Sequence, residues 1–90
     1  MPRFRVSVHG RGLWISIDDV LQRVEFRVAR IVEASNAKQA REKALELVAG
    51  DPRARPQPGY PVPVLAVDRV EPSSAALSPQ PGFAFYPDSE

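Results

Sequence analysis

Few side chains in this sequence have the type and spacing that catalysis or metal binding would need. His9 is the only histidine and the chain has no cysteine, so thiol catalysis, disulfides and thiolate metal sites are excluded. The aspartates at 18–19 are adjacent in a turn-forming position and would point apart, which does not favour a metal site. The Gly-Arg-Gly sequence at 10–12 lacks the lysine of a phosphate-binding loop and the third glycine of a dinucleotide fingerprint. We therefore expect a protein that is not an enzyme and that holds neither a cofactor nor a metal.

Basic residues alternate with apolar ones at the start of the chain and recur farther along, which indicates a basic patch on one face of a sheet. These basic residues are Arg3, Arg5, His9 and Arg27. With Trp14 as a stacking surface, such a patch would suit single-stranded nucleic acid. Glu25 and Glu33 fall on the same face, and the formal net charge is only +1, which weighs against this interpretation.

The same sheet face could instead mediate protein association, because a domain with a single helix leaves its second sheet face in need of cover. The apolar residues expected on that face are Ile31, Leu65 and Val67. A homodimer stacked sheet to sheet would supply the cover, and so would the C-terminal aromatic residues folded across the face. Those aromatic residues are Phe83, Phe85 and Tyr86. We expect a non-enzymatic association or accessory domain that forms a homodimer or binds a protein partner; the alternative is a weak single-stranded nucleic-acid-binding module.

Period-2 alternation predicts the strands that would position these residues. Residues 3–9 and 13–17 are predicted to form two strands. Between them, the two glycines at 10–12 permit positive φ and indicate a sharp reversal. The second strand should end at a hairpin turn formed by the aspartates at 18–19.

A third strand is predicted from Val24, where the alternation resumes. Arg30 interrupts its apolar set at a position that should face the core. Either a β-bulge near residues 29–30 switches the face, or Arg30 projects past the sheet edge toward an acidic partner. Both alternatives fit the pattern.

The period then changes to that of a helix. Asn36 is expected to cap the first turn with Gln39 reaching back, and Gly50 supplies the stop. The residues expected on the apolar face of the helix are Ala37, Ala40, Ala44, Leu47 and Val48. Residues 51–63 contain five prolines and are expected to form an extended or mobile connection. The apolar run at 62–70 predicts the last main strand.

The length of 90 residues allows one small domain. The element order β-β-β-α-β predicts an α+β fold with a single antiparallel or mixed sheet and one helix packed on one face. Residues 1–71 should form this domain, and residues 72–90 a flexible loop and an aromatic segment that docks on the domain or on a partner. No apolar run is long enough to span a membrane, and no signal sequence is present, so the expected location is the cytoplasm.

Two motifs carry a resemblance to known sequences. Residues 30–34 (Arg-Ile-Val-Glu-Ala) lead into the predicted helix, and residues 82–87 (Gly-Phe-Ala-Phe-Tyr-Pro) form an aromatic ending. In these features the chain resembles a group of short uncharacterised bacterial proteins that share an R-x-V-E-A strand-to-helix junction and a G-F-x-F-Y-P ending. The resemblance implies a small bacterial protein of unknown function, and it carries no catalytic or binding residue.

Overall fold

The fold is a four-stranded antiparallel sheet with one helix on one face, seen in a computed structural model that describes residues 2–74 and 82–87. The elements are β1 (Arg3–Ile17), β2 (Val20–Glu33), α1 (Ala37–Ala49), a 3-10 helix (Pro52–Ala54), β3 (Val64–Pro72) and β4 (Ala84–Pro87). The strands lie in the order β3-β1-β2-β4, and every neighbouring pair is antiparallel. The expected α+β class is confirmed. The element order differs from the predicted one in two ways: the first two predicted strands are a single strand, and the C-terminal aromatic segment adds β4.

The sharp reversal predicted at residues 10–12 is wrong. β1 continues through this stretch, and its pairing with β2 shifts register between Gly10 and Leu13. Gly12 has a φ of 72° there, so its positive φ serves an irregularity within the strand and not a turn. The predicted hairpin turn at residues 18–19 is confirmed. Both aspartates have positive φ, 51° and 65°, as a two-residue hairpin loop requires.

The irregularity in β1 changes which residues face the helix. Val6 and Val8 are buried before the irregularity and Leu13 is buried after it. The residues that face the helix therefore have even numbers before the irregularity and odd numbers after it. At the same place the ring of Phe26 lies against Gly10. A Cβ added to Gly10 would come within 2.2 Å of the end of that ring. Any residue other than glycine would therefore overlap the ring in its observed position.

Helix α1 begins as its sequence predicts. The side-chain oxygen of Asn36 accepts a hydrogen bond from the backbone N–H of Gln39 at 2.9 Å. The Gln39 side chain reaches back, but it accepts from the backbone N–H of Ser35 at 2.7 Å and not from that of Asn36. These bonds satisfy donors that have no partner within the helix.

The face that α1 packs on the sheet is narrower than expected. Its buried residues are Ala40, Ala44 and Val48. Ala37 is exposed, and Leu47 is 52% exposed, so their predicted places on the packed face are wrong. Small side chains let the helix approach the sheet closely, so contact is confined to one line of residues and Leu47 lies beyond it.

The connection after α1 is more ordered than its prolines suggest. Asp51 caps the 3-10 helix, and Ala54 is buried in the core. The backbone N–H of Gln57 donates to the carbonyl of Trp14 at 2.8 Å. The predicted extended or mobile connection is therefore wrong for this part, because a buried alanine and a bond to β1 hold the segment on the sheet.

Candidate binding surface on the open sheet face

The sheet face opposite α1, here called the open face, collects most of the predicted binding residues. Cross-strand register places Arg3 opposite Glu33, Arg5 opposite Ile31 and His9 opposite Arg27, and paired residues share a face. No helix or strand of residues 2–74 and 82–87 packs on this side. The first basic strand and the strand of Arg27 are neighbours in the sheet.

Two of the apolar residues expected on the open face lie on the other side of the sheet. Val67 is opposite Val8 and Leu65 is opposite Gly10, and both pack against the core. Their predicted position is wrong, because residues 62–67 are apolar without alternation, so this part of the sequence does not show which face each residue occupies. Ile31 remains on the open face, half-buried.

Three arginines of the open face lie near carboxylates. Arg27 and Asp68 make the shortest pair, at 2.9 Å. The remaining pairs are Arg3 with Glu33 at 3.8 Å and Arg5 with Glu71 at 4.0 Å. The side chains in these three pairs are 41–56% exposed, so each pair contributes at most about 1 kcal/mol to stability. The face therefore carries mixed charge instead of the uniform basic patch that the arginines alone suggested.

A concavity of about 490 Å³ opens in the middle of this face. Ser7 and Ala29 lie directly opposite each other, and their small side chains form its floor. Arg69 lies opposite Ser7 on the other side, from β3. The rim is completed by Arg5, Arg27 and Asp68. An incoming group could lie in this depression between the charged side chains of its rim.

Sequence reasoning missed Ser7, Asp68 and Arg69 as site residues. The pairing of β1 with β3 shifts register between Ser7 and Val8, which makes Asp68 an extra residue in β3. Such a bulge redirects a side chain, and the Asp68 carboxylate meets Arg27 across β1. The available signal was the Asp-Arg pair that interrupts the apolar run of residues 62–70.

His9 and Glu25 form a second polar contact on the open face. The His9 Nε2 atom lies 3.6 Å from a carboxylate oxygen of Glu25, which is too long for a hydrogen bond. This nitrogen is buried and has no hydrogen-bond partner among the described residues. Both side chains are about four-fifths buried.

Trp14 lies on the open face, opposite Arg23, beyond the concavity. Its ring packs against Tyr60, with the ring centroids 5.3 Å apart and an interplanar angle of 31°. The sequence suggested Trp14 as a stacking platform beside the arginines. The structure gives its indole an intramolecular partner from the connection after α1.

The C-terminal aromatic segment does not cover the open face, so that alternative is wrong. Residues 84–87 extend the sheet as β4, with Phe85 opposite Phe26 and Tyr86 opposite Glu25. Edge pairing satisfies the backbone groups that β2 and β4 turn toward each other, which a segment laid across the face could not do. Phe83 and Phe85 stack with 5.7 Å between centroids, and Tyr86 is 45% exposed. The loop predicted at residues 72–82 falls largely outside the described residues.

Phe83 is held on the helix side of the sheet. Its ring centroid lies 5.0 Å from that of Phe26. The guanidinium carbons of Arg53 and Arg30 lie 4.7 Å and 5.5 Å from the same centroid. Both separations are within the range of cation–π attraction, so Phe83 links β4 to the core and to the connection after α1.

Arg30 is only 6% exposed, and the structure decides between the two explanations predicted for its position in the strand. The pairing of β2 with β1 continues without a shift through Ala29 and Arg30, so the β-bulge alternative is wrong. The acidic partner is Asp51, whose carboxylate lies 3.4 Å from the Arg30 guanidinium. Arg53 donates to the same carboxylate at 3.1 Å and 2.9 Å. These hydrogen bonds from Arg53 lower the pKa of Asp51 to about 2.

The described residues contain no group of three or more acidic or histidine side chains able to hold a metal ion. None of the helices in the described ranges is long and apolar enough to cross a membrane. The fold and the open face thus define an α+β domain that buries one side of its sheet under a helix and presents a charged concavity on the other. Comparisons of the chain with protein-family models, curated proteins and solved structures find no match.

Proposed function

We propose that the protein is a non-enzymatic association domain that binds an acidic segment of a protein partner through the open face. The observation that supports this is the concavity over Ser7 and Ala29, rimmed by Arg5, Arg27 and Arg69. Guanidinium groups bind carboxylates bidentately and specifically. A partner segment with spaced acidic side chains would complement this arrangement.

A protein partner fits the charge pattern better than nucleic acid does. Glu33, Asp68 and Glu71 are interleaved with the arginines at distances of 2.9 to 4.0 Å, and a continuous phosphate backbone crossing the face would meet them. Stacking of bases needs an available aromatic surface, whereas the Trp14 ring already packs on Tyr60. Both features favour a ligand whose negative charges are separate and few.

A second copy of the chain is a less favourable occupant of the open face. Sheet-to-sheet stacking would bury the ion pairs of both copies, and the cost of removing paired charges from water often exceeds their attraction. Only Ile31 of the predicted apolar residues remains on this face. Sedimentation at micromolar concentration distinguishes the two occupants. We expect a monomer. A dimer that is abolished by charge reversal on the open face would mean that a second copy, and not a partner segment, occupies this face.

Selection from a displayed peptide library tests the partner class without knowledge of the natural partner. The unmodified protein should enrich segments rich in Asp and Glu. The double variant Arg5→Glu with Arg69→Glu should lose them, because it reverses two rim charges. The matched control, Lys38→Glu with Arg41→Glu, makes the same charge change on exposed positions of α1 and should retain them.

Two results would contradict the proposal. One is enrichment of peptides without acidic residues, and the other is equal binding of acidic peptides by both double variants. A titration with labelled single-stranded DNA at two salt concentrations completes the test. Tight binding that weakens steeply with salt would assign the face to nucleic acid.

A further inference from the structure

We infer that the concavity over Ser7 is a site for one oxyanion, a carboxylate or a phosphate group carried by a side chain of the bound segment. This inference rests on the proposed function for the source of the anion. It assigns a position and a set of donors, which the proposed function alone does not.

The sheet register builds the site. Arg69 of β3, Ser7 of β1 and Ala29 of β2 lie in one row across three strands. Because two of the three side chains in this row are small, the layer of side chains has a gap at its centre. The Ser7 hydroxyl can donate a hydrogen bond into that gap. Arg5 and Arg27, which also line it, belong to the neighbouring rows.

The rim arginines differ in how far their donors are already used. Arg27 donates to Asp68 at 2.9 Å, so that guanidinium is committed to a close partner. Arg5 is 4.0 Å from Glu71, which is beyond hydrogen-bond distance. Arg69 makes no ion pair with another residue of the described ranges. Donors of Arg69 and Arg5 therefore remain for an incoming anion, one on β3 and one on β1.

The local charge favours a single anion. Of the three guanidinium groups that line the concavity, that of Arg27 pairs with Asp68 and that of Arg5 lies 4.0 Å from Glu71, so among the described residues one net positive charge, that of Arg69, is left to attract an anion. A second anion would have to compete with Asp68 for Arg27 or with Glu71 for Arg5. The concavity of about 490 Å³ is wide enough for one oxyanion with bridging waters, which contribute nearly as much as direct hydrogen bonds.

Titration of the full chain with sodium phosphate and, separately, with sodium acetate tests the site by ¹⁵N NMR, at constant ionic strength made up with chloride. We expect saturable shifts centred on the backbone amides of Ser7, Ala29 and Arg69 and on the Arg69 side-chain Nε–H. Arg69→Ala should weaken binding about tenfold, because it removes a charge-assisted donor pair. Arg41→Ala on α1 should leave it unchanged.

Asp68→Asn gives a second and opposite readout. Removing its negative charge lowers the repulsion of the anion, so the variant should bind more tightly than the unmodified protein. Saturation by phosphate alone assigns a phosphate group to the site, and saturation by both ions assigns oxyanions in general. Shifts that do not saturate for either ion, or that Arg69→Ala leaves unchanged, overturn the inference.

The two proposals can fail separately. If acidic peptides bind the open face while neither ion saturates this site, the association domain stands and the oxyanion site is wrong. If phosphate or acetate binds at Ser7 and Arg69 but no acidic segment is selected, the oxyanion site stands and the protein partner is wrong.

Discussion

Asp51→Asn tests how the connection after α1 is held on β2, because it removes the carboxylate shared by Arg30 and Arg53 without changing the size of the side chain. The pKa of Asp51 falls from 3.8 to about 2 in the folded protein, and one pKa unit corresponds to about 1.4 kcal/mol. Since the Arg53 side chain is 50% exposed, solvent reduces the effect. We expect a loss of about 1 to 2 kcal/mol in the free energy of unfolding at neutral pH.

The sign of the pH dependence follows from the lowered pKa. A carboxyl group with a depressed folded-state pKa stabilises the fold above its unfolded-state pKa, and that contribution is lost as the pH falls through the folded-state value. The difference between Asp51→Asn and the unmodified protein should therefore be constant near neutral pH and shrink between about pH 4 and pH 2. Urea unfolding followed by the fluorescence of Trp14, the only tryptophan, measures it.

Asp68→Asn is the matched control for this experiment. Asp68 pairs with Arg27 at 2.9 Å, but these side chains are 41% and 56% exposed, so its removal should cost less than about 1 kcal/mol. Equal losses for the two variants would refute the argument that Asp51 acts through a mostly buried contact. A difference between Asp51→Asn and the unmodified protein that does not change in acid would refute the assignment of its effect to charge.

Three further substitutions test local packing and capping by urea unfolding. Gly10→Ala should lower the free energy of unfolding by about 1 to 3 kcal/mol, because the new Cβ would lie 2.2 Å from the ring of Phe26. The control Gly50→Ala, whose Cβ meets nothing closer than 3.4 Å, should change stability little. Similar losses for both variants would count against this steric role of Gly10. Phe83→Ala should cost about 2 kcal/mol and speed amide exchange in β4 more than in β3, and unchanged exchange in β4 would contradict its anchoring role. Asn36→Ala removes the cap of α1 and should cost about 1 kcal/mol, whereas an unchanged stability would mean that water replaces the cap.

Local features of the fold could be predicted from the sequence because they depend on neighbouring residues. The turn at 18–19 needed two residues that tolerate positive φ, and the cap of α1 needed Asn36 with Gln39 three positions later. The alternation of Arg3 and Arg5 with apolar residues placed them on one face. Each of these signals lies within a few residues of the structure that it specifies.

The remaining features depend on contacts between distant segments. The glycines at 10–12 fit a reversal or an irregularity within a strand equally well, and the ring of Phe26 packed on Gly10 accompanies the second outcome. Arg30 violates the apolar pattern of β2 because its partner, Asp51, lies 21 positions away in the chain. The pattern of residues within β2 therefore could not predict Asp51 as the partner of Arg30.

The concavity of the open face depends on the register shift in β3 in the same way. In a strand without a register shift, Asp68 and Arg69 would lie on opposite sides, as any two successive strand residues do, and one of them would face the helix. The bulge lets both lie on the open side, where Asp68 engages Arg27 and Arg69 stands opposite Ser7. A variant that deletes Asp68 should restore regular pairing and keep Arg69 opposite Ser7 and Val67 opposite Val8, because these two pairs flank the extra residue. We expect this variant, like Asp68→Asn, to bind the oxyanion more tightly than the unmodified protein, because both changes remove the carboxylate and keep Arg69 opposite Ser7. A deletion variant that loses oxyanion binding would contradict this argument from the strand register.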